Sequence, residues 1–171
     1  SLSLAYLIWA LGVSVFVNGK MEEKLNEQGV PYSQFISSPA PFTTLLWRTV
    51  GIHNDQYFET YYSLFDGDAP LSVNFYPRNL SRMTGMGEHP PIAKLEKFTR
   101  GYFAMSENNG SIAMTDLRMG SEPNYVFQFR VAELKETKNI PAKPIRLEAI
   151  RDWSQLPCLW ARIWSKQANP E

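Results

Sequence analysis

The sequence predicts an α+β fold. It should hold an antiparallel sheet of about six strands, in two hairpin or meander groups, with a long N-terminal helix, a short middle helix and a C-terminal helix. Three observations carry that reading. Residues 1–18, SLSLAYLIWALGVSVFVN, contain no charged side chain, and Lys20, Glu22, Glu23 and Lys24 follow at once. Residues 125–134, YVFQFRVAEL, alternate with the two-residue period of a strand, setting Tyr125, Phe127, Phe129 and Val131 against Val126, Gln128, Arg130 and Ala132. Asn108-Asn109-Gly110 stands between two further β-rich stretches, and an Asn-Gly pair in that place is the strongest short-range sign of a hairpin.

Taken in order, residues 4–28 read as one helix, apolar first and charged later, stopped at Gly29. Residues 30–41 carry Pro31, Pro39 and Pro41 among serines and read as an extended connector. Residues 42–52 form a strand with Leu45, Trp47 and Thr49 on one face and Leu46, Arg48 and Val50 on the other. Asn54-Asp55 turns the chain into residues 57–65, YFETYYSLF, which are dense in β-formers. Asp66-Gly67-Asp68 ends that strand, and residues 71–76 make a third. Residues 77–91 are a Gly/Pro-punctuated loop with one short helical turn at 80–83, followed by a helix over 92–99 with Pro91 at its start. Residues 102–106 and 111–117 are the arms of the Asn-Gly hairpin, and 125–134 the next strand. Residues 135–144 read as a polar loop with prolines, 145–150 as a short strand, and the segment from 153 to 165 as helical after Pro157.

The totals exclude several classes. Of 171 residues, 44% are hydrophobic and 13% aromatic, which rules out a disordered chain. Lys plus Arg equals Asp plus Glu at 17 each, and the pI is about 6.7, so there is no electrostatic footprint for nucleic acid. Cys158 is the one cysteine, which excludes an internal disulfide and a cysteine metal cluster.

The uncharged opening run lacks the positive start and small-residue cleavage site of a secretory signal, and at 18 residues it is slightly short of the ~20 that a full span needs. Leu4, Leu7, Ile8, Leu11 and Val15 fall at helical spacing, as in a core helix, yet Ala5, Trp9, Gly12 and Phe16 fill the other faces. With no initiating methionine, the run reads as the last part of a membrane span met at the point where it joins a water-exposed domain. The expected organisation is therefore a membrane-derived or docking helix over 1–28 and a single soluble α+β domain over 29–171.

Chemistry-bearing motifs are few. His53 and His89 have no ligand partner at i+3 or i+4, and HExxH, GxSxG, P-loop and dinucleotide fingerprints are absent from the sequence. Two polar clusters stand out. Trp47-Arg48 lies mid-strand opposite Tyr61-Tyr62 and leads to Asp66. Asp116-Leu117-Arg118 ends another strand. An arginine buried in a strand requires a carboxylate, for which Asp66 and Asp116 are the candidates. Two readings stay open: structural ion pairs that fix strand register, or a pocket for a small anion or lipid headgroup formed by Trp47, Arg48, Tyr62, Asp66, Asp116 and Arg118, with Ser63 and Arg78 beside it. Trp160 and Trp164, at i, i+4, make either a core-facing stripe or a belt at a lipid interface.

The strings SLAYLIWAL, PFTTLLWR, YYSLFD and TDLRMGSEPNYVFQFRVAE resemble the C-terminal part of the YdjM-like family over residues 3–134. These are bacterial inner-membrane proteins labelled by inference as metal-dependent hydrolases, some also as LexA-binding. The resemblance implies that membrane helices precede this chain and that the hydrolase's divalent-metal ligands lie in that earlier part, so no catalytic or metal residue carries over. It carries over only to Trp47, Arg48, Tyr62, Asp66, Asp116, Arg118 and Gly120. Three functions are therefore expected as alternatives. One is a soluble accessory domain of a membrane-bound metal-dependent hydrolase at the bacterial inner membrane, holding no cofactor itself. The second is the anion or headgroup module. The third is a protein-interaction or dimerisation domain.

Overall fold

The structure, a computed structural model, describes residues 2–135, 138–149 and 153–166. The fold is α+β, with three α-helices and antiparallel sheets. Contacts divide the chain into two compact units. One takes its described residues from Ser1–His53, Phe58–Phe75 and Trp153–Glu171; the other takes them from Asn54–Tyr57 and Tyr76–Asp152. The opening helix packs Val13, Val17, Met21 and Leu25 against Trp47, Phe58 and Tyr62 of the strands in the first unit.

In the first unit, α1 (Leu2–Glu27) precedes β1 (Gln34–Pro39), β2 (Leu46–His53), β3 (Gln56–Ser63) and β4 (Val73–Pro77), which lie in the order β1-β2-β3-β4. The chain enters the second unit after β2, returns to the first within β3, and passes to the second again within β4. Period-two alternation decides which side chains meet each helix. Trp47, Phe58 and Tyr62 join Val13, Val17, Met21 and Leu25 of α1 in one cluster. Leu46 and Tyr61 join Ile163 of α3 (Leu156–Trp164) in another. The sheet thus lies between α1 and α3, which is why β2 and β3 are buried along nearly their whole length. Gly51 in β2 has the Phe58 ring lying where a Cβ would stand.

In the second unit a 3-10 turn (Leu80–Met83) and α2 (Pro90–Thr99) precede the Asn-Gly hairpin of β5 (Phe103–Asn108) and β6 (Ser111–Asp116). Asn109 (φ 48°) and Gly110 (φ 71°) both adopt the left-handed conformation that a type I′ turn demands. A two-residue ribbon, β7 (Gly120–Ser121) with β8 (Asn124–Tyr125), leads to β9 (Gln128–Lys135) and β10 (Lys138–Arg146). The sheet order is β10-β9-β6-β5. Met86 and Ile92 pack on Phe103, Met105, Ile112, Met114 and Val131, so α2 covers one face of this sheet.

The expected count of about six strands is approximate, since the described residues hold two four-stranded sheets and a two-stranded ribbon. Residues 30–41 and 135–144, expected as connector and loop, contain β1 and most of β10. Both lie at sheet edges, where a proline's missing N–H need not break a ladder. Between Pro141 and Ile145 the β9–β10 register shifts. The short strand expected over 145–150 is the end of β10 at 145–146, and Ile150 lies outside the described residues. The strand expected from residue 42 begins at Leu46, because Phe42 adopts φ 63° and the chain turns there; the Ala40 N–H donates to the Leu46 carbonyl at 2.8 Å.

Candidate functional site

Four of the six expected site residues lie in the first unit and two in the second. Trp47 and Tyr62 are core residues on the α1 side. The Trp47 indole N–H donates to the Thr44 carbonyl at 2.9 Å. Burial, followed by the negative charge of Asp66, pushes the Tyr62 phenol above its ordinary pKa.

Arg48 is buried and pairs with Glu59 on β3, not with Asp66 or Asp116. Asp66 instead takes Arg162 of α3 in a two-pronged contact, Nη1 to Oδ1 at 2.9 Å and Nη2 to Oδ2 at 2.7 Å, while Nη2 also donates to the Tyr61 carbonyl at 2.9 Å. The Ser63 amide donates to Asp66 Oδ2 at 2.9 Å, and the Ser63 hydroxyl to the Ile163 carbonyl at 2.6 Å. Together these bonds fasten α3 to the end of β3. Glu59 and Arg162 escaped the sequence reading. Their one local signal is a charge inside an otherwise apolar element, Glu59 within YFETYY and Arg162 within LWARIW.

In the second unit Asp116 and Arg118 form a pair two residues apart. Arg118 Nε lies 2.9 Å from Oδ1, Nη2 lies 2.6 Å from Oδ2, and the Arg118 amide donates to Oδ1 at 3.0 Å. The carboxylate raises the guanidinium pKa further, and the guanidinium carbon lies 5.0 Å from the Phe98 ring centre. Arg78, expected beside the pocket, is spent on backbone. It donates to the carbonyls of Phe103 (2.9 Å), Asn54 (3.0 Å) and Gly101 (2.7 Å), and burial lowers its pKa. The structure therefore gives Arg48, Arg118, Arg162 and Arg78 built-in partners, the arrangement of ion pairs that fix register and packing.

Two concave regions stand out among the described residues. In the first unit an apolar groove of about 370 Å³ runs between the 40–43 loop and α3, with Phe42, Leu159 and Trp160 on its walls. In the second, a hollow of about 300 Å³ lies among Tyr57, Tyr76, Thr115, Glu122, Tyr125 and Gln128. A hydrogen-bond chain runs along it: the Tyr125 hydroxyl donates to the Tyr57 hydroxyl at 3.3 Å, and that hydroxyl to Glu122 Oε2 at 2.8 Å. The Tyr57 and Tyr76 rings stack at 5.2 Å.

Among the described residues no three His, Cys, Asp or Glu side chains converge as metal ligands. His53 ends β2 and His89 caps α2. Among the described residues one helix, Ser3–Glu27, is long and apolar enough to cross a membrane. No family model, curated protein or solved structure matches the chain.

Proposed function

We propose that this chain is the membrane-proximal accessory part of a membrane-bound metal-dependent hydrolase of the bacterial inner membrane, positioned by α1 and without metal ligands of its own. The observation that carries the reading is the division of labour along α1. Its second half is seated through Val13, Val17, Met21 and Leu25 in the core of the first unit. Toward its start Leu4, Leu7, Ile8 and Trp9 are each more than half exposed. Burying such a side chain fully is worth about 1.5–3 kcal/mol, so leaving these in water forgoes on the order of 5 kcal/mol that a hydrocarbon environment would recover. Because the helix is continuous, a span formed by its first half would hold the folded unit at a set distance and angle from the bilayer. The resemblance of the opening, PFTTLLWR and TDLRMG strings to the YdjM-like family supplies the hydrolase context.

The test has two parts. Incubated with vesicles of phosphatidylethanolamine and phosphatidylglycerol, the chain floats with the lipid, whereas a Leu4→Lys/Ile8→Lys variant, altered only at exposed positions, stays behind. Assayed with zinc or manganese on phosphodiester and ester substrates, the chain alone shows no turnover. Flotation unaffected by the two lysines, or metal-dependent turnover by the isolated chain, refutes the proposal. A dimer that light scattering shows to be lost with the same lysines would favour the association reading instead.

A further inference from the structure

We infer that the hollow in the second unit is a binding site for a neutral polyhydroxylated ring of monosaccharide or cyclitol size. The hollow is built by strand alternation. Met105 and Met114 point toward α2, so their neighbours Ala104 and Thr115 emerge on the opposite face. Ala104 and Thr115 are register partners, and Thr115 is in turn the partner of Gln128. The three side chains make one row across β5, β6 and β9. The methyl of Ala104 at one end of that row fills little space. The Thr115 hydroxyl and the Gln128 amide are neutral groups able both to donate and to accept.

The wall facing that row comes from the TDLRMGSEPNY stretch that the sequence reading singled out. Asp116 holds Arg118 in the turn after β6, and Gly120 pairs with Tyr125 across the β7–β8 ribbon. Gly120 has φ 109°, and a Cβ there would stand 2.5 Å from the Asn124 carbonyl oxygen, so the ribbon closes only on glycine. Its closure brings Glu122 and Tyr125 to the Tyr57 hydroxyl. The hydrogen bond from the Tyr57 hydroxyl helps to fix the orientation of the Glu122 carboxylate in this wall. In this reading Arg118 is a positioning residue, which absorbs the arginine of the motif without making it a ligand.

Three properties select the ligand class. The volume of about 300 Å³ stands at the lower end of ligand pockets, which run to about 1,000 Å³, so the occupant is a single ring. The wall mixes tyrosine rings with a carboxylate, an amide and a hydroxyl, matching a molecule with an apolar C–H face and a rim of hydroxyls. Among the described residues no lysine or arginine lines the hollow, which disfavours phosphates and carboxylates.

The experiment uses the whole chain in a detergent without a sugar headgroup. Saturation-transfer NMR is run against a panel of hexoses, N-acetylhexosamines and inositol, with choline and inorganic phosphate as charged controls. At least one neutral ring binds with a Kd of about 1 mM or tighter. Gln128→Ala and Thr115→Val each weaken it about tenfold, the worth of one hydrogen bond in a small site. Tyr76→Ala abolishes the signal while circular dichroism stays that of the folded chain. If no member of the panel binds, if choline or phosphate binds and no sugar does, or if binding is unchanged in Gln128→Ala and Thr115→Val, the inference is overturned. None of these outcomes bears on α1, so this site and the membrane reading stand or fall separately.

Discussion

Replacing Glu59 by leucine separates a structural ion pair from a ligand site. Arg48 and Glu59 are 5% and 4% exposed, on neighbouring strands β2 and β3, and they pair directly. Removing the carboxylate leaves a guanidinium buried between the sheet and α3, where water cannot replace the lost partner. The cost of breaking such a pair from one side is about 3–5 kcal/mol. A chain of this length loses about 2–4 °C of Tm per kcal/mol, so Glu59→Leu lowers Tm by roughly 6–20 °C. The double variant Arg48→Met/Glu59→Leu removes both charges and keeps the volume, and it returns to within about 1 kcal/mol of the parent. Thermal unfolding of the parent, the single variants Arg48→Met and Glu59→Leu, and the double variant, followed by circular dichroism in one detergent, closes the cycle. The reasoning fails if the single variant costs less than about 1 kcal/mol, the value of an exposed pair, or if the double variant is as unstable as the single.

Three further outcomes are expected. Gly51→Ala forces a methyl group into the Phe58 ring and costs about 1–3 kcal/mol in urea unfolding, and adding Phe58→Leu to it restores part of that loss. Gly110→Ala, at φ 71° in the β5–β6 turn, costs about 1 kcal/mol by the same measurement. Burial raises the pKa of Tyr62 and of Tyr102 above the ordinary phenol value. The unfolded chain therefore ionises first, and the stability kept below about pH 10 is lost as pH rises through the raised values. Tyr62→Phe flattens that alkaline loss in a pH series of melting curves.

What the sequence disclosed was local. The Asn-Gly turn, the helical turn at 80–83, the helix after Pro91 and the closing helix each depend on residues a few positions apart, and each formed where expected. β1 and β10 were hidden because proline speaks against a strand unless the strand lies at an edge, and edge position is a property of the whole sheet. The ion pairs were hidden for the same reason. An arginine in a strand announces that a carboxylate is needed, but which one depends on how strands and helices assemble. Arg48 meets Glu59, 11 residues away, and Asp66 meets Arg162, 96 residues away. The TDLRMGSEPNY stretch was legible as special, while its contribution to a hollow lined also by Tyr57, Tyr76 and Gln128 required the register of β6 with β9.

The opening helix shows why an uncharged run is a weak ruler. By charge, its apolar part ends before Lys20. By packing, it changes role at Val13, where the first of the side chains at 13, 17, 21 and 25 enters the core of the unit. At 1.5 Å per residue those two boundaries differ by about 10 Å along the axis. The Trp9 indole N–H reaches the Thr44 hydroxyl at 3.4 Å, so the 40–45 loop, with its exposed Phe42, stands level with the third turn of the helix. If lipid surrounded every uncharged residue, that loop and the rim of the apolar groove beside it would have to enter the hydrocarbon with their backbone polar groups, which the hydrocarbon region does not tolerate in lipid-exposed loops. Under the membrane reading the bilayer surface therefore lies near Trp9, a depth that tryptophan favours, and residues 13–18 owe their lack of charge to the protein core on one side and to proximity to the membrane on the other.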